Sequence, residues 1–274
     1  MTVSFSQNSS KTLTVKDASG NTILSKSAAG TYTFTMPASN VTIEASSAGI
    51  CLAPDTLITM ADGTQKEIQY VSVGEEILTW NFYTGAYEVV PAALAQADGA
   101  GVMNVLHLHF EDGTELKVMG EHGIFDADLN NFIFIDEFDV ENYLGHRFVQ
   151  KDGTGYKTTK LVSYEITTED TVAYTILAAY HYNVIAEGMF TNTPAHIGDN
   201  FFNPFDICEG MKYDEAQVEV EIAQYGLYTY EDFAHVLTEE QFNLLNLGHL
   251  KVSVGKGLVT YDGLIFLIEN FINR

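Results

Sequence analysis

Cys51-Leu52-Ala53-Pro54-Asp55-Thr56-Leu57-Ile58-Thr59-Met60-Ala61-Asp62-Gly63-Thr64 is the stretch on which the reading of this chain turns. A thiol stands at the junction of two unlike compositions. The strand-like run Thr56-Leu57-Ile58-Thr59-Met60 follows, and the Asp62-Gly63 pair then reverses the chain into Glu67-Ile68-Gln69-Tyr70 as a hairpin. Just upstream, Ala45-Ser46-Ser47-Ala48-Gly49 reads as a flexible linker of small residues that leaves the Ile50–Cys51 bond accessible.

Outward from that stretch, short β-type runs recur. Residues 74–81 are turned by Tyr83-Thr84-Gly85 into 86–90, and 105–110 are turned by Asp112-Gly113 into 114–119. Further runs fall at 132–135, 146–149, 160–165 and 173–178. Many short strands at this spacing predict a mainly β, sandwich-like or barrel-like unit. Upstream, Leu13-Thr14-Val15, Tyr32-Thr33-Phe34-Thr35-Met36 and Val41-Thr42-Ile43-Glu44 predict a small meander.

Near Pro194 the texture changes. Residues 214–225 carry Ala216, Val218, Val220, Ile222 and Ala223 among Glu and Gln, with Gly226 as a C-cap, and predict a helix. Thr229-Tyr230-Glu231-Asp232 reads as the start of a second helix and Thr238-Glu239-Glu240-Gln241 as the capping box of a third. Thr260-Tyr261-Asp262-Gly263 opens a last one ending near Arg274. The expected organisation is therefore a β-repeat fragment at 1–48, a central β domain at 49–193 and a helical C-terminal extension at 194–274.

Composition narrows the function. A formal charge of -24, from 37 acidic and 13 basic residues, opposes binding to nucleic-acid phosphates or anionic lipid. No window approaches the ~18 consecutive apolar residues of a membrane-spanning helix, so no membrane span is expected. Two cysteines, Cys51 and Cys208, are too few for a disulfide framework, although a single Cys51–Cys208 bridge would silence the thiol. Cys208 reads most simply as a small buried residue. His107 and His109 share a strand face but lack a third ligand at a recognisable spacing, so neither metal nor cofactor is expected.

A cysteine can attack the carbonyl of the residue before it and convert the amide into a thioester. Because the amide is the stabler species, the protein must strain the bond, stabilise the tetrahedral oxyanion and protonate the departing α-amine. A histidine with an ordinary pKa near 6.5 serves that last step, since both protonation states are accessible near neutrality. His122, just beyond the strand ending at Met119 and beside Gly123, is the candidate.

Three segments carry a family resemblance. The stretch from Cys51 to Thr64 resembles the first block of the Hint superfamily, the autoprocessing domains of inteins, bacterial intein-like elements and hedgehog C-terminal domains. Val118-Met119-Gly120-Glu121-His122-Gly123 stands where the second block has Thr-x-x-His, and residues 174–188 resemble the late block ending in Ala-Glu-Gly. The resemblance implies a pseudo-twofold β horseshoe with Cys51 as nucleophile and His122 polarising the Ile50–Cys51 amide. Met119 departs from the family threonine and removes one contact to that amide. At the C-terminal end, Asn192 falls at the family's His position and Thr193 at its Asn position. A shift of one gives Asn192 followed by a Thr193 nucleophile but no histidine, so efficient splicing is not expected.

What the resemblance leaves is cleavage or transfer of the upstream polypeptide at Ile50–Cys51, with the thioester resolved by an outside water, amine or hydroxyl. His181 is a candidate base for that step, against the simpler reading of a packed strand histidine. Separately, residues 30–43 resemble the closing strands of a β-repeat from multi-repeat bacterial surface proteins. That implies the C-terminal part of a longer exported protein, extracellular or at the cell surface. Two other readings compete: a catalytically degenerate Hint-fold structural or interaction module, and a Cys-His hydrolase acting on other molecules.

Overall fold

Asp-Gly turns and alternating apolar residues become antiparallel ladders throughout the central segment. The computed structural model describes residues 2–5, 11–19, 22–26, 30–47, 51–120, 122–181, 183–193, 207–208, 211–257 and 260–271. Five upstream strands are β1 (Thr2–Phe5), β2 (Lys11–Asp17), β3 (Thr22–Lys26), β4 (Gly30–Thr33) and β5 (Val41–Ser47). β3-β2-β5 form one small sheet and β1-β4 a two-stranded pair. Ala45, Ser46 and Ser47, expected in a linker, lie in β5 opposite Leu13, Thr12 and Lys11. There the backbone ladder outweighs weak side-chain propensity. The strand expected at 32–36 closes at Thr33, before Pro37.

The central segment contributes β6 (Cys51–Leu52), β7 (Leu57–Thr59), β8 (Gln65–Glu67), β9 (Glu76–Asn81), β10 (Ala86–Phe110) and β11 (Glu115–Met119). β12 (His122–Asp126), β13 (Asn131–Ile135), β14 (Arg147–Asp152), β15 (Gly155–Ala178), β16 (Asn183–Ala186) and β17 (Met189–Asn192) follow. They join in one 12-stranded system in the order β8-β7-β16-β17-β12-β14-β15-β6-β11-β10-β9, with β13 beside β12. Gly63 at φ 82° and Gly113 at φ 88° make the Asp-Gly turns, a conformation that strains any other residue.

β10 and β15 are the spine. Each was expected as two separate strands, yet they pair continuously from Ala92↔Ala178 to Phe110↔Leu161. The small residues between the two apolar halves of β10 stay extended because β15 supplies their hydrogen bonds. Register shifts between Ala92 and Leu94, between Ala97 and Gly99 and between His109 and Phe110 absorb the mismatch.

Leu52, Ile58, Leu108, Leu116, Ile124 and Phe148 anchor the main core. A second, aromatic core gathers Trp80, Phe125, Phe132 and Phe190, with Trp80 edge-on to Tyr87 at 4.9 Å between ring centroids.

The C-terminal part is helical, with α1 (Glu215–Tyr225), α2 (Glu239–Leu244), α3 (Leu250–Gly255) and α4 (Tyr261–Phe271). Asp214 caps α1 by accepting from the Ala216 and Gln217 amides, and Thr238 with Gln241 forms the expected capping box of α2. Thr229 and Asp232 also form a capping box, but it opens only a 3-10 turn at Tyr230–Asp232. Phe233 is drawn into the core immediately after, which ends the helical run. Apolar faces of this part pack inward: Phe233, Phe242 and Leu264 enclose Leu177 of β15. Trp80 Nε1 donates to the Met211 carbonyl at 2.6 Å, and the Tyr180 amide to the Leu244 carbonyl at 2.7 Å. Among the described residues, no helix is long and apolar enough to cross a membrane.

Candidate active site

β6 is only two residues long, yet it is held on both sides. Cys51 pairs with Met119 and Leu52 with Val118 on β11, while Leu52 also pairs with Tyr174 on β15. The Ala53 amide extends the first ladder by donating to the Lys117 carbonyl at 3.2 Å. This clamping seats Cys51 among Ala53, Val105, Met119 and Ala173, at 1% exposure. Cys51 is in no disulfide, so a bridge to Cys208 is excluded.

The Cys51 sulfur lies 3.5 Å from the Thr175 hydroxyl, which is itself buried. Sequence reasoning missed Thr175. Its signal was a small hydroxyl residue in the run Ala173-Tyr174-Thr175-Ile176-Leu177, on the same strand face as Ala173.

β11 leads directly toward His122. Gly120 bends the chain at φ 67°, and His122 opens β12 opposite Ile135. The imidazole is 2% exposed, and neither ring nitrogen has a hydrogen-bond partner among the described residues. Burial pushes its pKa down from 6.5 to about 3, so it is neutral at physiological pH. This corrects the expectation that both protonation states are readily available there.

The C-terminal pair converges on the same place. β12 and β17 pair at Ile124↔Thr191, a register that, continued, sets Asn192 opposite Gly123 and Thr193 opposite His122. The Gly123 amide donates to Asn192 Oδ1 at 3.0 Å. Both Asn192 and Thr193 are buried, and Asn192 Nδ2 and Thr193 Oγ1 have no partner among the described residues. Ile50, the expected scissile residue, lies outside the described residues.

His181 is engaged elsewhere. Its Nε2 lies 3.0 Å from Glu88 Oε2 on β10, and burial lowers its pKa against the opposing pull of that carboxylate. Glu187, in the Ala-Glu-Gly turn, sits at φ 50° and exchanges two hydrogen bonds with Leu57, which ties that turn to β7. His107 has Glu115 at 2.7 Å from one ring nitrogen and Thr167 at 2.9 Å from the other. Asp126, Asp128 and His146 bring three possible metal-ligand atoms within 4.8 Å of one another. Here Asp126 already holds His146 at 2.6 Å, and Asp128 pairs with Arg147, so the cluster is satisfied internally.

Similarity to known proteins lies in solved structures. The DnaB mini-intein variant M86 is 17% identical, covering 52% of this chain and 93% of that one, at a TM-score of 0.45. A DnaB intein from Synechocystis sp. is 18% identical over 52% and 97%, at 0.44. The bacterial intein-like domain from Clostridium thermocellum is 14% identical over 52% and 98%, also at 0.44. No protein-family model and no curated protein matches the sequence.

Proposed function

We propose that residues 49–193 are an autoprocessing unit that cleaves or transfers the upstream chain at Ile50–Cys51 through an N-to-S acyl shift, without efficient C-terminal splicing. The observation that carries this reading is the sealed Cys51 thiol, clamped between β11 and β15 with Thr175 at its sulfur. A thiol closed to solvent is poorly placed to attack other molecules, while its own preceding carbonyl is always within a five-membered ring. Burial thus favours self-processing over a hydrolase with added substrates.

The proton inventory follows from a neutral His122. The neutral imidazole carries one N–H and no excess proton, so over the whole step the proton lost by Cys51 is balanced by the one the departing amine receives, with His122 or Thr175 as carrier. The Cys51 sulfur bonds to the Ile50 carbonyl carbon, the C–N bond breaks, and the proton ends on the Cys51 nitrogen. Water, an amine or a hydroxyl then takes the acyl group and the thiol is restored. Asn192 is spent on Gly123 through its side-chain oxygen, which opposes folding of that side chain onto its own carbonyl.

Met119 favours a second reading, a degenerate module that kept the fold and lost the chemistry, because an apolar side chain faces the thiol where a polar contact would help. Incubation of the chain with a strong thiol or hydroxylamine, followed by mass spectrometry, separates the two. Release of residues 1–50, absent in Cys51→Ala, supports self-processing. An intact chain under both reagents leaves the module. The resemblance of residues 30–43 to a surface β-repeat supports an extracellular or cell-surface setting, tested by locating the full-length protein in its cell.

A further inference from the structure

His122 lacks the usual means of holding an imidazole in place. A functional histidine is generally oriented by a partner on its second ring nitrogen. Here both nitrogens are buried without one among the described residues. Its orientation then rests on packing and on the backbone at 122–123, which β13 pairs at Ile135 and Phe134 and which, among the described residues, the side chain of Asn192 also holds. The Gly123 amide, which follows the histidine, is accepted by the side chain of Asn192 across 69 residues of sequence.

The two positions fit each other closely. A Cβ on residue 123 would lie 2.4 Å from both Cγ and Oδ1 of Asn192, so the asparagine occupies the space that any other residue at 123 would fill. Both partners are buried. Gly123 is therefore matched to Asn192.

We propose that Asn192 is a positioning residue for His122, acting through the Gly123 amide. This inference rests on the autoprocessing reading for its effect on cleavage, but not for its effect on the ring. It gives a structural purpose to an asparagine that stands where a splicing domain would carry a histidine.

The test uses Asn192→Leu, which keeps the volume and removes the accepting oxygen, and Asn192→Asp, which keeps the oxygen. Amide exchange at Gly123, the His122 ring signals in NMR, and thiol-induced cleavage are followed in the full chain. With Asn192→Leu, Gly123 exchange is expected to accelerate at least tenfold, the His122 signals to shift or double relative to wild type, and cleavage to slow about tenfold. Asn192→Asp is expected to keep Gly123 protected. If the Leu variant does not fold, Asn192→Ser, whose oxygen is too short to reach Gly123, supplies the same comparison. A folded variant lacking the acceptor but showing wild-type His122 signals overturns the proposal. A wild-type chain that does not cleave sinks the autoprocessing reading alone, because the ring signals still decide the role of Asn192.

Discussion

Cys51 and Met119 are direct cross-strand partners, so the side chain nearest the thiol across the β6–β11 ladder is a thioether with no hydrogen to donate. The site is apolar on this side and polar on the Thr175 side. Met119→Thr places a hydroxyl where the apolar cluster now ends. One added hydrogen bond in the transition state is worth on the order of 1 kcal/mol, so single-turnover cleavage in hydroxylamine should quicken roughly fivefold. Stability should fall by about 1–3 kcal/mol from lost packing, read as a lower urea midpoint. A rate equal to or below wild type would show that Met119 is not what limits the reaction.

Thr175 contributes in the opposite direction. Thr175→Val preserves shape and removes the hydroxyl 3.5 Å from the sulfur. Cleavage should slow about tenfold. The midpoint of unfolding should move little, because a long contact to sulfur is a weak bond. Mass-spectrometric time courses on the two proteins check the rate, and an unchanged rate would reduce Thr175 to packing.

Local chemistry was readable in the sequence where it is written locally. Asp62-Gly63 and Asp112-Gly113 did become hairpin turns, and the Thr238–Gln241 capping box did open a helix. The mainly β class with a helical C-terminal part followed from those signals. What escaped were relations between distant residues. The continuity of β10 and β15 depends on mutual pairing through a glycine-containing stretch of β10 and a polar, acidic stretch of β15 that look like breaks in isolation. Thr175 at Cys51 and Asn192 at Gly123 join residues 124 and 69 positions apart, and no periodicity encodes such partners. The neutral state of His122 likewise comes from burial, a property of the assembled sheet.

Acid should reveal that burial. The folded-state pKa of His122, about 3, lies below its unfolded value near 6.5, so the unfolded chain binds the proton first as pH falls. Its contribution is complete above pH 6.5 and is lost progressively toward pH 3, at roughly 1.4 kcal/mol per pH unit. His181 and His249 are also lowered by burial and act with the same sign. The measurement is therefore a difference: urea unfolding at pH 7, 6, 5 and 4.5 for wild type and His122→Gln. The wild-type curve should fall more steeply, and parallel curves would mean that His122 is protonated or hydrated in the native state.

Asn183 offers the sharpest stability test, because one side chain satisfies both main-chain groups of Trp80. Its Oδ1 accepts from the Trp80 amide at 2.7 Å and its Nδ2 donates to the Trp80 carbonyl at 2.8 Å, with Asn183 fully buried. Asn183→Ala leaves both backbone groups bare and should cost about 2–4 kcal/mol. Trp80 is the chain's one tryptophan, and its ring nitrogen donates to Met211 at the entrance to the helical part. Its fluorescence thus reports both the aromatic core and the docking of that part. In Asn183→Ala the emission change should precede loss of far-ultraviolet circular dichroism, because the substitution unties the Trp80 backbone while leaving the strand ladders their own hydrogen bonds. Coincident transitions at the wild-type midpoint would show that Asn183 is dispensable to both.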